Sequence, residues 1–236
     1  MDATLDRLEE LLESRSGHHI ATVNLDFIVR AQRDMWLQAI LNRTAMNLID
    51  GTPLLWALRA LGHPVPERVA GADIVPRLLA RLAKTGHTVY LLGGRPEVSR
   101  EAARQMVSRY EGLRLCGVDT PPERSVELMD GAAARRVADA APAVLLVAFG
   151  NPKQEYWLDL HLPELNVPIA IGIGGTVDFL AGSRWRAPRW MRHVGFEWLA
   201  RLTQEPVRLG PRYARDLVTF ARLLTRERIA KGAVHG

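Results

Sequence analysis

At 236 residues, with 47% hydrophobic and 24% charged content, the chain is sized for one large domain or one domain with an appendage, and composed like a soluble globular protein. One cysteine, Cys116, excludes an internal disulfide framework and fits a reducing compartment. No window offers the ~20 consecutive apolar residues of a membrane span, and residues 1–7 lack the apolar core of an export signal, so the expectation is a cytoplasmic protein. The net charge of +5 is unevenly placed: residues 184–231 hold 12 Arg/Lys and 4 Asp/Glu, net +8, and the remainder, with 19 and 22, is net −3. Such asymmetry points to nucleic acid, an anionic membrane or a phosphorylated substrate.

Apolar positions Leu5, Leu8, Leu11 and Leu12 predict an amphipathic helix over residues 2–15. Residues 19–24 read as a first strand ending in polar groups, and Ile28, Ala31, Met35, Ala39 and Ile40 predict one helix over 27–42. A short strand at 45–49 runs into Asp50-Gly51-Thr52-Pro53, followed by a helix over about 53–61 with proline at a tolerated early position. Beyond Gly71 the alternation is regular: helix 73–84, strand 88–92, helix 97–110, strand 113–118, helix 123–140, strand 143–149. Cys116 lies in one of these strands and reads as core. A further apolar run, 167–171, leads into Gly172-Ile173-Gly174-Gly175. Strands alternating with helices of this length predict right-handed βαβ units and a parallel sheet. The fold class expected is α/β, a Rossmann-like parallel sheet flanked by helices, with a basic helical C-terminal appendage. The domain boundary falls near Gly182-Ser183, giving a catalytic domain over 1–183 and an aromatic-rich, basic appendage over 184–236.

Ligands of open α/β sheets bind beyond the carboxyl ends of the strands, so the polar and glycine-rich segments there are the candidate site. Asp50 follows a strand and is placed for general-base work, though a turn or cap aspartate fits the same pattern. Thr22 and Asn24 would be its polar neighbours, or strand-end caps. Gly93-Gly94 and Gly172-Ile173-Gly174-Gly175 lack the spacing of a P-loop or a dinucleotide fingerprint; each is a phosphate approach or an ordinary tight turn. Metal-ligand spacings are missing: there is no Asp-x-Asp and no His-x-x-x-His, and His18 and His19 point to opposite strand faces. No cofactor is expected, and a diphosphate would be neutralised by arginine. Candidates are Arg186, Arg189, Arg201, Arg208, Arg212 and Arg215, interleaved with Trp185, Trp190, Phe196, Trp198, Tyr213 and Phe220. That mixture fits an anionic bilayer surface, or single-stranded nucleic acid with bases stacked on rings.

At these residues the chain resembles the WecG/TagA/CpsF family of bacterial glycosyltransferases. The matching stretches are Thr22-Val23-Asn24, Asp50-Gly51, Arg68-Val69-Ala70-Gly71, Leu91-Leu92-Gly93-Gly94 and Gly150-Asn151-Pro152-Lys153-Gln154-Glu155 with Trp157. Gly172-Ile173-Gly174-Gly175 through Asp178-Phe179-Leu180-Ala181-Gly182 follows, then Arg186-Ala187-Pro188, Glu197-Trp198 with Arg201-Leu202, Glu205-Pro206 with Arg208, and Arg212-Tyr213. The resemblance implies an inverting, metal-independent transfer of a sugar from a UDP-sugar to a polyprenyl-diphosphate-linked sugar at the inner membrane face. The donor sugar would be N-acetylmannosamine, its uronic acid or glucose, and the product a cell-surface polysaccharide. Residue by residue, it makes Asp50 the general base, sets Thr22, Asn24 and Gln154 in the pocket, and has Asp178 hold the nucleotide beside Gly93, Gly94, Gly174 and Gly175. Arg201 and Arg208 would reach the diphosphate. Gly117-Val118-Asp119-Thr120-Pro121 stands where relatives have Gly-Tyr, and Ala200 where they have an aromatic, which leaves the sugar and acceptor open. No nucleic acid partner is expected on this reading; the alternative is a nucleic-acid-binding module that uses the basic tail, with salt-sensitive binding and no turnover.

Overall fold

Four runs of apolar residues, each ended by a glycine or a polar turn, become the inner strands of one sheet. The computed structural model describes residues 1–14, 16–122, 131–188, 191 and 195–234, without the side chains of residues 201, 208 and 227–234. The strands are β1 (His18–Val23), β2 (Met46–Ile49), β3 (Thr88–Gly93), β4 (Arg114–Asp119), β5 (Val144–Ala148) and β6 (Ile169–Gly172). They form a six-stranded, all-parallel sheet in the order β2-β1-β6-β5-β3-β4, an α/β Rossmann-like fold.

The helices are α1 (Asp2–Glu13), α2 (Leu25–Ala31), α3 (Met35–Arg43), α4 (Thr52–Ala60), α5 (Gly71–Thr85), α6 (Pro96–Arg109), α7 (Gly131–Ala140), α8 (Lys153–His161), α9 (Thr176–Leu180), α10 (Glu197–Gln204) and α11 (Pro206–Val234). The helix expected over 27–42 is two helices. Arg33 N–H bonds to Arg30 C=O in a tight turn, and the chain restarts at Met35. Of the helix expected over 123–140, residues 123–130 lie outside the described residues.

Parallel strands covered on both faces bury every residue, and β5 is buried at all five positions. Alternation still sorts the side chains. Ile20, Val89, Leu91, Val144, Leu146, Ile169 and Ile171 join residues of α1, α5, α6 and α9 in one core cluster. Tyr90, Leu92, Leu145, Val147 and Ala170 join residues of α7 and α8 in the other. β4, at the sheet edge, alternates between exposed and half-buried. Cys116 is therefore exposed, not core as expected; its thiol lies 3.3 Å from the Val89 carbonyl.

The chain divides into two compact units, 1–22 with 36–48 and 69–185, and 23–35 with 49–68 and 186–236. The first holds both core clusters described above. In the second, α11 packs on α2 and on α10, with Phe27, Ala200, Leu209 and Phe220 buried.

Candidate active site

Register brings the turns of the first unit to one level. Gly93 pairs with Ala148, Val147 with Gly172, and Ile20 with Ile171, so β3, β5, β6 and β1 end side by side. This is the edge where ligands of parallel sheets bind. Thr22 is buried there and donates its hydroxyl proton to Gly172 C=O at 2.8 Å, leaving the oxygen lone pairs as its remaining function. After β3, Gly94 N–H bonds to Ala148 C=O, and the buried Ser99 hydroxyl donates to Gly93 C=O at 2.6 Å. Gly94 has φ +77, and a Cβ there would stand 2.5 Å from Ser99 Oγ; glycine is what lets the chain turn this closely over α6.

After β5, a cis peptide joins Asn151 to Pro152, and α8 starts at Lys153. Gln154 is buried in the first turn of α8. Its carbonyl oxygen accepts from Gly150 N–H at 3.2 Å and Gly174 N–H at 3.1 Å, and its amide donates to Glu155 Oε1 at 2.8 Å. Glu155 is fully buried, and burial pushes its carboxyl up to about 8, against the smaller opposing effect of the Gln154 bond. After β6, Gly175 leads into α9, where Asp178 is buried with Arg95 Nη2 and Arg184 Nε each 3.5 Å from its carboxylate. Arg95 is largely exposed. The first unit thus collects Thr22, Gly93, Gly94, Gln154, Gly174, Gly175 and Asp178 at one sheet edge. It adds Ser99, Arg95, Arg184 and Glu155, the last a residue of a matched stretch, none of which had an assigned role. The local signal for the arginines was their place one residue after Gly94 and two after Gly182.

In the second unit, Asn24 caps α2: its side-chain oxygen accepts from Asp26 N–H at 3.0 Å and Phe27 N–H at 3.4 Å. The capping role weighed for Asn24 is therefore real. Asp50, half-buried, donates its N–H to Val23 C=O at 2.8 Å, and Gly51 lies against Asn24, so Asn24 and Asp50-Gly51 are neighbours. Glu197, nearly buried, accepts from Arg68 Nη1 at 2.9 Å and has Arg186 Nε at 3.8 Å. Arg212 sits over the Tyr213 ring, and Arg215 lies 3.5 Å from the buried Asp216. Arg201 is in α10 and Arg208 in α11, but their side chains, like residues Arg189 and Trp190, lie outside the described residues. Among the described residues no group of three or more His, Cys, Asp or Glu is placed to hold a metal ion.

Ligands of parallel α/β sheets bind at the carboxyl edge, and in this chain the glycine turns, buried polar side chains and two arginines lie there. The profile of the Glycosyl transferase WecG/TagA/CpsF family matches residues 1–233, and the chain belongs to that family. Among relatives, it is 27% identical over 205 residues, 86% of this chain and 78% of the other, to the N-acetylglucosaminyldiphosphoundecaprenol N-acetyl-beta-D-mannosaminyltransferase of Bacillus subtilis (strain 168). The protein is a glycosyltransferase.

Proposed function

We propose that this glycosyltransferase moves a sugar from a UDP-sugar to a polyprenyl-diphosphate-linked sugar, with inversion and without a metal ion, in the assembly of a cell-surface polysaccharide. The family match over residues 1–233 is the observation that carries the reading. The relative's name makes N-acetylmannosamine the first donor sugar to try and a diphosphoundecaprenol-linked N-acetylglucosamine the first acceptor; its uronic acid and glucose follow.

The step is a single displacement. An acceptor hydroxyl attacks the anomeric carbon as the bond to the UDP oxygen breaks. Asp50 takes the hydroxyl proton, and the charge left on the departing diphosphate is held by arginine. Arg201 and Arg208 are assigned that task by the resemblance. Arg95 and Arg184 beside Asp178, next to the Gly94 and Gly175 turns, are further cations suited to it. Thr22 and the glycine turns shape the donor pocket.

A lipid-linked acceptor calls for contact with the inner face of the cytoplasmic membrane. Among the described residues no helix is long and apolar enough to cross a membrane. Support for peripheral contact comes from exposed apolar side chains in the basic C-terminal stretch, Trp185, Phe196, Trp198, Val207, Leu217 and Val218. Each basic residue beside an anionic leaflet adds about 1 kcal/mol.

The test is a donor screen on a bacterial membrane extract, following which UDP-sugar labels lipid, repeated with excess EDTA. Labelling from one UDP-sugar that survives chelation is the expected result. Loss on chelation restored by Mg²⁺ would remove the metal-free mechanism. Salt-sensitive RNA or DNA binding with no labelling from any donor would remove the whole reading.

A further inference from the structure

The Gln154–Glu155 pair is built more tightly than pocket lining requires. Gln154 Oε1 accepts two backbone N–H bonds, one from the turn after β5 and one from the turn after β6. That fixes which end of the amide is oxygen, and turns its NH₂ toward Glu155. Both side chains lie flat on Gly172: a Cβ at that position would stand 2.4 Å from Gln154 Nε2 and 2.8 Å from Glu155 Oε1. Glycine at 172 is thus demanded by the pair, not by backbone strain.

We infer that Glu155 is a positioning residue for sugar transfer: acting through Gln154, it holds the Gly150 and Gly174 turns in the arrangement that the sugar nucleotide needs. This rests on the functional reading above. Glu155 has no exposed surface. Its Oε1 accepts from Gln154, and its Oε2 is buried without a partner among the described residues. A carboxylate in that place would leave a charged oxygen unsolvated, whereas a neutral acid keeps Oε1 as an acceptor and leaves only an uncharged hydroxyl unpaired, the smaller cost. The raised proton affinity of the group, caused by burial and by no neighbouring charge, agrees with this. The part Glu155 plays is that of a neutral hydrogen-bond acceptor of fixed length.

The variants that test this are Glu155→Gln, which keeps a neutral acceptor at the same reach, and Glu155→Met, which fills the space without one. Glu155→Ala is the harsher companion. Transfer kinetics from the UDP-sugar to a short polyprenyl-diphosphate acceptor should show Glu155→Gln within about threefold of wild type. Glu155→Met should lose about 10–100-fold in kcat/KM, the effect of leaving a buried donor unpaired. Hydrogen exchange at the Gly150 and Gly174 amides, read by NMR, should speed up in Glu155→Met and stay slow in Glu155→Gln. Exchange needs no substrate, so it decides the clamp even if the wild-type protein transfers no UDP-sugar, a result that would fail the functional reading instead. Equal losses in the Gln and Met variants would overturn the inference, because a charged or reacting carboxyl would then be at work. Wild-type exchange and rates in Glu155→Met would overturn it too.

Discussion

At the carboxyl ends of β1, β3, β5 and β6, three buried side chains bond to the backbone of the turns; at the amino ends of β1 and β6, Asp159 is held by Arg43 and Trp36. The first arrangement is Ser99 on Gly93, Thr22 on Gly172, and Gln154 on Gly150 and Gly174. The second lines a cavity of about 490 Å³ that includes His18, His19, Arg43, Asp159 and Asn166. There Asp159 accepts from Arg43 at 2.6 Å and from Trp36 Nε1 at 2.8 Å, and Trp36 stacks on Tyr156 at 4.3 Å between ring centroids. The amino end has room, and its Asp159 is already paired with Arg43. The carboxyl end has turns held in place by side chains, which is what positioning a ligand demands. On the proposed reading, strand direction and the fixing of the turns set the site, and the amino-end cavity does not.

The sharpest break in this contrast is Asp50→Asn, at the residue that follows β2. It keeps size and hydrogen bonding but removes the base, and turnover should fall by roughly 10²–10⁴-fold with the melting curve unchanged. Near-normal turnover in the folded variant would remove Asp50 from the chemistry. Next comes Gly172→Ala, whose added methyl must displace the Gln154–Glu155 pair. It should cost about 1–3 kcal/mol of stability in denaturant melts, and weaken UDP binding by calorimetry as well. At the amino end the methyl of Gly17→Ala meets Leu162, with Cγ at 3.1 Å, Cδ1 at 3.4 Å and the carbonyl oxygen at 3.5 Å, and should leave UDP binding unchanged. Equal effects at the two glycines would erase the comparison.

Smaller still is Asp159→Asn, which removes the pairing with Arg43 but keeps an acceptor for Trp36. With Arg43 more than half exposed, the loss should be within about 1 kcal/mol, and the rate of transfer should not change. A separate test is the pH dependence of stability, where the two ends should slope in opposite senses. Glu155 has an ordinary value of 4.5 and is pushed up to about 8 in the fold, so between these values the folded protein holds the extra proton. Its contribution is full below about 4.5 and is lost as pH rises to about 8. His19, lowered by burial from 6.5 to about 4 despite Asp159 nearby, holds fewer protons folded than unfolded in that window. Its contribution is full above about 6.5 and is lost as pH falls to about 4. Denaturant titrations across pH should lose the first slope in Glu155→Gln and the second in His19→Gln. Slopes that persist in both variants would place the titrations on other groups.

Much of this was legible in the chain because the inner strands are short apolar runs punctuated by glycine, and a parallel sheet of them has its site at the carboxyl edge. Thr22, Gly93, Gly94, Gly174 and Gly175 could be placed that way from position, and Gln154 and Asp178 through the resemblance. Other features depend on partners far along the sequence. Glu155 reads locally as an acidic residue in a helix's first turn, a common and usually solvated position; only its packing on Gly172 shows that it is buried. Cys116 reads as core until strand order puts β4 at the edge. The break between α2 and α3 has neither proline nor glycine to announce it. Arg95 and Arg184 stand out only once α9 brings Asp178 between them.

The measurement closest to the central claim is the rate of sugar transfer to a short, water-soluble polyprenyl-diphosphate acceptor by wild type, Gly172→Ala and Asp159→Asn, side by side. Measurable transfer by the wild type is expected, with the same rate within about twofold for Asp159→Asn and a loss of about 10-fold or more for Gly172→Ala. No transfer from any UDP-sugar, or a loss that follows the amino-end substitution and spares the carboxyl-end one, would contradict the central claim.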